Sequence, residues 1–343
     1  MDAYVMHALN HIHKTRELVI SNDAKLSEHE NSQSEEVIQD GSYLDQGFTR
    51  PKVLFLLPLA SIAFRVVKRL VQLTPLSSIG NVAHMDRFNA EFGMRKVEED
   101  DENFDVNLEP HKRAKPDDFE NLFGGNNEDC FIMGMKFTKR SIKLYSNFYS
   151  SDVIVASPLG LITKIAEAEV EKEKDFDYLS SIEVLVIDHA DVITMQNWSH
   201  VNTVVEHMNR MPSKQHGTDV MRVKQWYLDG HARFYRQTIL LGSFLTPDMN
   251  ALFNRVCVNY EGKVKLISKH KGLLHKVLLQ VCQVYHRFEA SSVVDVDDAR
   301  LEYFSKKVFP KIKDSLEVGL ISFNFFFFLT FIMLFFIFIP NLC

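Results

Sequence analysis

Apolar and polar positions alternate along the chain in blocks that switch between a period of about 3.6 and short continuous apolar runs. Tyr4, Ala8, Leu9, Ile12 and Val19 recur at helical spacing and predict a helix over 3–20, followed by a polar, turn-rich stretch over 21–48. "KVLFLLP" (52–58) is an unbroken apolar run of the kind that forms a strand buried on both faces. A helix is expected from Ala60 to Leu73, a second strand over 130–137 and a helix over 138–149 carrying a basic stripe. "DVIVAS" (152–157) reads as a third strand, with a helix starting near Pro158, a favoured first helical residue. "IEVLVID" (182–188) is a fourth strand and "TILLGS" (238–243) a fifth, separated by helices at 197–209 and 219–229. A helix over 247–254 and a short strand "RVCV" (255–258) close the series. Further on, 280–288 reads as a strand and 297–312 as an amphipathic helix with Leu301, Phe304, Val308 and Ile312 on one face.

Strands alternating with helices imply right-handed crossovers and a parallel sheet covered on both faces. Ligands of such sheets bind at the carboxyl ends of the strands, where Pro58, Ser157, Asp188 and Ser243 fall.

The chain of 343 residues can fill one large or two smaller cores, and its net charge of −6 gives no global signal for nucleic acid. Charge is segregated, however: residues 95–129 hold twelve acids against five bases and read as an exposed, disordered insert. Residues 255–287 hold seven Lys or Arg against Glu261 alone, which suggests a local polyanion surface. Cys130, Cys257 and Cys282 sit in apolar runs without metal-ligand spacing and read as buried thiols. His7 and His11 stand four apart, but no acid or third ligand accompanies them, so no metal and no cofactor is expected. Residues 1–20, with His7, His11, His13, Lys14 and Arg16 among apolar positions, do not read as a signal peptide. Residues 319–340 carry no charge and are long enough to span a bilayer, so a transmembrane helix is expected there on hydropathy. That tail is rich in Phe, Ile, Leu and Met, whose codons share a central T. It begins after Glu317 at Val318, whose codon opens with GT, so residues 318–343 also read as translated intron.

The chemistry concentrates in "VLVIDHADVI" (184–193), an apolar strand running into Asp188, His189, Ala190 and Asp191. An acid at a strand end is a way to hold a metal-bound nucleotide. The ordinary alternative is a polar strand end and a helix N-cap. None of the fourteen glycines starts the phosphate-cradling pattern G-x-x-x-x-G-K-[ST].

"PLASIA" (58–63), "ASPLGL" (156–161), "DHAD" (188–191) and "GSF" (242–244) follow four of these strands in order. They resemble motifs Ia, Ib, II and III of the first RecA-like domain of DEAD-box RNA helicases, each in degraded form. "GFTRPKVLFLLP", "FYSSDVIVASPLGLI", "VLVIDHADVITMQNWSHV" and "ARFYRQTILLGSFLTPDMNALFN" carry a closer resemblance, to the U3 small nucleolar RNA-associated protein 25 family, also called digestive organ expansion factor. The resemblance implies an α/β fold: a parallel-sheet, RecA-like (P-loop NTPase-like) helicase domain 1 over 1–260. A basic linker over 261–279, an incomplete second RecA-like domain over 280–317 and the apolar tail 318–343 would follow. It implies a nucleolar factor of the small-subunit processome acting in 18S ribosomal RNA maturation. Its expected partners are pre-rRNA, U3 small nucleolar RNA and other processome proteins, with a membrane only if the tail is genuine.

Within that resemblance Asp188 matches the acid that holds Mg²⁺ through water, and His189 stands where the water-positioning Glu of D-E-A-D belongs. Imidazole lacks the charge and two-oxygen geometry of a carboxylate, and phosphoryl transfer depends mostly on positioning and charge stabilisation. Asp188, His189, Ala190 and Asp191 therefore read as a degenerate motif II, and Gly242, Ser243 and Phe244 as a degenerate motif III, without catalysis. The alternatives are an active ATP-dependent helicase and a single-pass membrane protein. Leu59, Ala60, Leu159 and Gly160 replace the phosphate-gripping pairs of motifs Ia and Ib, leaving Ser61, Ser157 and backbone amides as candidate RNA contacts. Two stretches interleave cations with rings, "KFTKRSIKLYSNFY" (136–149) and "RVKQWYLDGHARFYR" (222–236). They add Lys139, Arg140, Lys143, Arg222, Lys224, Arg233 and Arg236 as candidates, against the ordinary reading of helices with rings in the core and bases in water.

Overall fold

The computed structural model describes residues 1–32, 43–74, 82–93, 117–138, 140–170, 175–266, 286–292 and 295–310. The chain divides into two units, Met1–Lys265 and Leu266–Cys343. The first is a mixed α/β unit around a seven-stranded sheet. Its strands are β1 (Val53–Leu56), β2 (Val82–Ala83), β3 (Ile132–Phe137), β4 (Ile142–Leu144), β5 (Val153–Ala156), β6 (Val184–Ile187) and β7 (Gln237–Leu240), in the order β2-β4-β3-β5-β1-β6-β7. β5, β1, β6 and β7 run parallel, as the alternating pattern predicts. β3 is antiparallel to both β5 and β4, a departure that arises because residues 138–149 form no helix. Thr138 and Ser141 close a tight turn (Thr138 N to Ser141 O, 2.8 Å), and Ile142-Lys143-Leu144 then alternates buried, exposed, buried. The apolar period there is two, so a hairpin wins over the expected basic helix.

The apolar run of β1 has no polar face because both faces are covered. Val53 and Phe55 join one core with helices α1 (Asp2–Ser32), α2 (Ala60–Leu73) and α3 (Met85–Phe92), while Leu54 and Leu56 join the other. The second core takes in α5 (Pro158–Val170), α6 (Ala190–Gln196), α7 (Trp198–His207) and α10 (Pro247–Ala251). α1 lies antiparallel to the central strands. Tyr4 meets Phe55 and the residue after β6, His11 meets Glu183 before β6 at 2.8 Å, and Arg16 donates to the Phe137 carbonyl. α1 runs past its expected end at residue 20 because polar contacts continue where the apolar period stops: Asn22 donates to Asp45 (2.8 Å) and Asp23 pairs with Arg222.

Other expectations need correction. Part of the acidic insert is folded: α4 (Asp117–Phe123) is a helix, and the carbonyls of Asn126 and Glu128 accept from Ser61 N and Ala60 N, both at 2.8 Å. Residues 94–116 lie outside the described residues. The region 219–229 is a 3-10 turn and the single-turn α8 (Gln225–Leu228), followed by α9 (Ala232–Tyr235). "RVCV" is no strand; wide helical turns run from Leu252 to Val256. Cys130 is exposed and Cys257 half-buried, whereas Cys282 lies outside the described residues. In the second unit α11 (Val296–Tyr303) continues as wide turns to Val308, and residues 286–288 form no strand. No helix among the described residues is long and apolar enough to cross a membrane. The transmembrane helix expected at 319–340 is withdrawn on that finding, and that stretch, with 318 and 341–343, lies outside the described residues.

Candidate functional site

The carboxyl end of β6 is tied to both neighbours: Asp188 N donates to Leu56 O of β1 (3.2 Å), and Ala190 N to Leu241 O after β7 (2.8 Å). This places Asp188, His189, Ala190, Asp191 and Gly242 in one cluster. A Cβ at Gly242 would lie 3.2 Å from Asp191 Oδ1 and 3.0 Å from Met249 Cε, so the absent side chain lets the two loops close. Ser243 and Phe244 are exposed.

The Asp188 carboxylate is already engaged. Tyr4 Oη, from α1, donates to Oδ2 at 2.6 Å, and His189 N donates to Oδ1 at 2.9 Å, with the His189 ring 3.3 Å away. Burial opposes ionisation of this carboxyl, yet the donors from His189 and Tyr4 hold it below its ordinary range. Tyr4 is itself 5% exposed, and burial together with the neighbouring carboxylate pushes its phenol far up. It is therefore a fixed hydrogen donor at neutral pH. His189 caps α6 in the left-handed region (φ 53°, ψ 43°), so the expectation that an aspartate occupies the N-cap gives way: Asp191 lies one residue inside the first turn, buried, with Oδ1 lacking a partner.

The neighbouring helix ends are closed as well. At α2 the amides of Ala60, Ser61, Ile62 and Ala63 donate to Glu128, Asn126 and Leu59 carbonyls. Ser61, 6% exposed, lies against the 125–128 segment. At α5 Ser157 Oγ accepts from Gly160 N (2.9 Å) and Phe131 N (3.2 Å). At 1% exposure Ser157 is buried and acts as a helix cap. Since amides at a helix N-terminus are what make it an anion site, these two ends have little left to offer.

Of the basic candidates, three are committed internally. Arg222 binds the fully buried Asp45 (2.6 Å) and Asp23; Lys224 binds Glu183 (3.2 Å) and lies over the Trp226 ring. Arg236, 5% exposed, donates to Asn209 Oδ1 (2.8 Å), and burial lowers its guanidinium to about 10. Arg140, Lys143 and Arg233 are exposed, and Lys139 lies outside the described residues. Among the described residues Asp175, Asp177 and His216 gather ligand-type atoms within 4.8 Å. Asp177 Oδ2 there accepts from Ser213 N, Ser213 Oγ and His216, which makes the group an anchor for the 213–216 loop.

Sequence reasoning missed Tyr4 as a site residue. Its place in an apolar period marked it as core, and only the pairing of α1 with β6 brings its hydroxyl to Asp188. It also missed the start of the strands, where Lys52, 6% exposed, lies 3.3 Å from Glu183 and 3.4 Å from Tyr227 Oη.

A mostly parallel sheet between helical layers, with an acid at the end of a central strand, fits a P-loop, RecA-like fold and defines an NTP-hydrolase-like domain. A family model described as "UTP25, NTP hydrolase-like domain" matches residues 1–264, and the chain belongs to the UTP25 family. It is 60% identical over 332 residues to Protein NUCLEOLAR FACTOR 1 of Arabidopsis thaliana, covering 94% of this chain and 44% of that protein. It is 43% identical over 310 residues to U3 small nucleolar RNA-associated protein 25 of Arthroderma benhamiae (90% and 40%). To the Xenopus tropicalis homolog of that protein it is 40% identical over 315 residues (91% and 39%). The chain thus spans less than half the length of these relatives.

Proposed function

We propose that this chain is a non-catalytic, helicase-like ribosome biogenesis factor that works in the nucleolus with U3 small nucleolar RNA, pre-rRNA and other small-subunit processome proteins in 18S rRNA processing. The names of its relatives and the extent of identity support the process. The observation that carries the non-catalytic part is the Tyr4–Asp188 contact: the acid that would hold a metal through water is covered by a tyrosine hydroxyl at 2.6 Å. The next residue offers an imidazole where a carboxylate would orient water. On this reading residues 1–260 are a degenerate RecA-like domain 1, and residues 280–317 belong to a second, incomplete one.

Two measurements test this reading. The purified protein is expected to release no phosphate from ATP above background, with or without RNA; turnover that Asp188→Ala abolishes would overturn the non-catalytic assignment. Crosslinking and immunoprecipitation of the tagged protein from cells is expected to enrich U3 small nucleolar RNA and 18S precursors. Recovery without either RNA would overturn the processome assignment.

A further inference from the structure

The motif end of the sheet is closed and carries Asp188, Asp191 and Glu128, while the opposite edge, where the parallel strands begin, has the reverse character. Lys136 on β3 and Lys143 on β4 are direct cross-strand partners, an arrangement of like charges that costs free energy in the isolated sheet. Arg50 and Arg16 stand beside them. Arg50 binds Asp152 in bidentate fashion (2.8 and 3.2 Å), and Arg16 reaches the carbonyl of Phe137, whose amide also rests on Asp152 (2.7 Å). Arg50 is thus paired with Asp152, while Lys136 feels the charges of Arg50, Lys143 and Arg16 as well as that carboxylate. The mutual repulsion and burial lower the Lys136 ammonium below its ordinary value, burial being the larger effect. The other acids along this edge are paired in place: Asp45 and Asp23 share Arg222, and Glu183 meets Lys52 and Lys224.

At the β7 end of the same edge three rings form a ladder. Trp226 stacks on Tyr235 (centroids 4.5 Å apart, 13° between planes), and Tyr235 meets Tyr260 at 4.9 Å. Tyr260 is 64% exposed and Tyr235 39%. Lys224 lies 5.0 Å from the Trp226 centroid. The ladder belongs to this edge because Tyr227, next to Trp226, hydrogen-bonds Glu183 before β6, and Tyr235 lies two residues before β7. From β4 to β7 the strand order gives five steps, about 24 Å at roughly 4.8 Å each.

We infer that this edge, from the Lys136–Lys143 pair to the Trp226–Tyr235–Tyr260 ladder, is a track for single-stranded RNA, the face opposite to the one bearing the helicase-like motifs. The cations meet phosphates and relieve their own repulsion, and an exposed ring at the end of a stack offers a surface to a base. The ladder favours RNA over an acidic protein segment, which has carboxylates but no bases to stack. The inference rests on the RNA-binding part of the proposed function and adds the face.

The test is fluorescence anisotropy of the whole protein with a labelled single-stranded oligouridine over a salt series, with thermal melts confirming that each variant is folded. Arg140→Ala with Lys143→Ala is expected to weaken binding several-fold and to flatten the slope of log affinity against log salt by about 1.4, two phosphate contacts on a single strand. Tyr260→Ala is expected to weaken binding about five-fold or more with the salt slope unchanged, the signature of a lost stack. Lys164→Ala, at the motif end, is expected to leave both unaltered. If the wild type binds RNA and only Lys164→Ala weakens it, the RNA reading stands and this face is wrong. If the wild type binds a poly-glutamate peptide and not RNA, the RNA reading itself fails.

Discussion

Tyr4 and Asp188 show how one hydroxyl changes what a site can do. Tyr4→Phe keeps the ring against Phe55 and removes only the donor, so it should cost about 1.5–3 kcal/mol, the worth of a hydrogen bond to a charged group. Urea denaturation at pH 7 measures it. ATP turnover should remain absent in this variant, because His189 still supplies no carboxylate. At the other end of β6, Glu183 (11% side-chain exposure) balances Lys52 and Lys224 and accepts from Tyr227 Oη at 2.7 Å. Burial opposes the charge on Glu183, but the two ammonium groups and His11 hold its carboxyl well below the ordinary range. Glu183→Ala leaves Lys52 buried and unpaired and should cost roughly 3–5 kcal/mol in the same assay.

At the scale of elements, local signals competed with packing. Gly160 lies in the first turn of α5, where alanine would ordinarily stabilise a helix by up to about 1 kcal/mol. Here a Cβ would lie 2.3 Å from the Phe131 carbonyl oxygen, and backbone cannot swing aside. Gly160→Ala should therefore destabilise by about 1–3 kcal/mol, as overpacking does, and lower the melting temperature; a rise would show that β3 can yield. The 138–149 stretch went the other way. Its cations at 139, 140 and 143 suit a helix face, but the sheet needed a partner for β3, and Ile142 and Leu144 fill the core only as a strand. The helices α2, α5 and α7 were legible because their apolar periods are long and their starts are marked. The far half of α1 was not, since Asn22 and Asp23 are fixed by Asp45 and Arg222, which lie distant in sequence.

For the whole molecule, acid stability follows in part from two largely buried carboxyls held below their ordinary values. Asp188 and Glu183 sit below their ordinary values of 3.8 and 4.5, so in both cases the folded state binds protons less readily than the unfolded chain. Their contribution is full above those ordinary values and is lost as pH falls through the lower folded ones. Glu183→Gln should accordingly shrink the drop in stability below pH 4.5, as read by denaturation midpoints between neutral pH and that acid limb. By itself the sequence determined the α/β class, the parallel core strands and the place of "DHAD" at the end of one. Continuous apolar runs and marked helix starts are local properties, and the order of motifs is written along the chain. It also placed His189 directly after Asp188. Only the tertiary structure decided which polar groups are free. Arg222, Lys224, Arg236, Ser61 and Ser157 look available in a string of letters, yet each meets a partner or a covering segment brought from elsewhere in the chain. Tyr4 reaches Asp188 across 184 positions, and Tyr260 joins Tyr235 through a turn after α10. Solvent exposure and partner choice are sums over distant contacts, which is why the cations of the two ring–cation stretches differ in the fold, Arg222, Lys224 and Arg236 becoming internal ties while Arg140, Lys143 and Arg233 stay exposed.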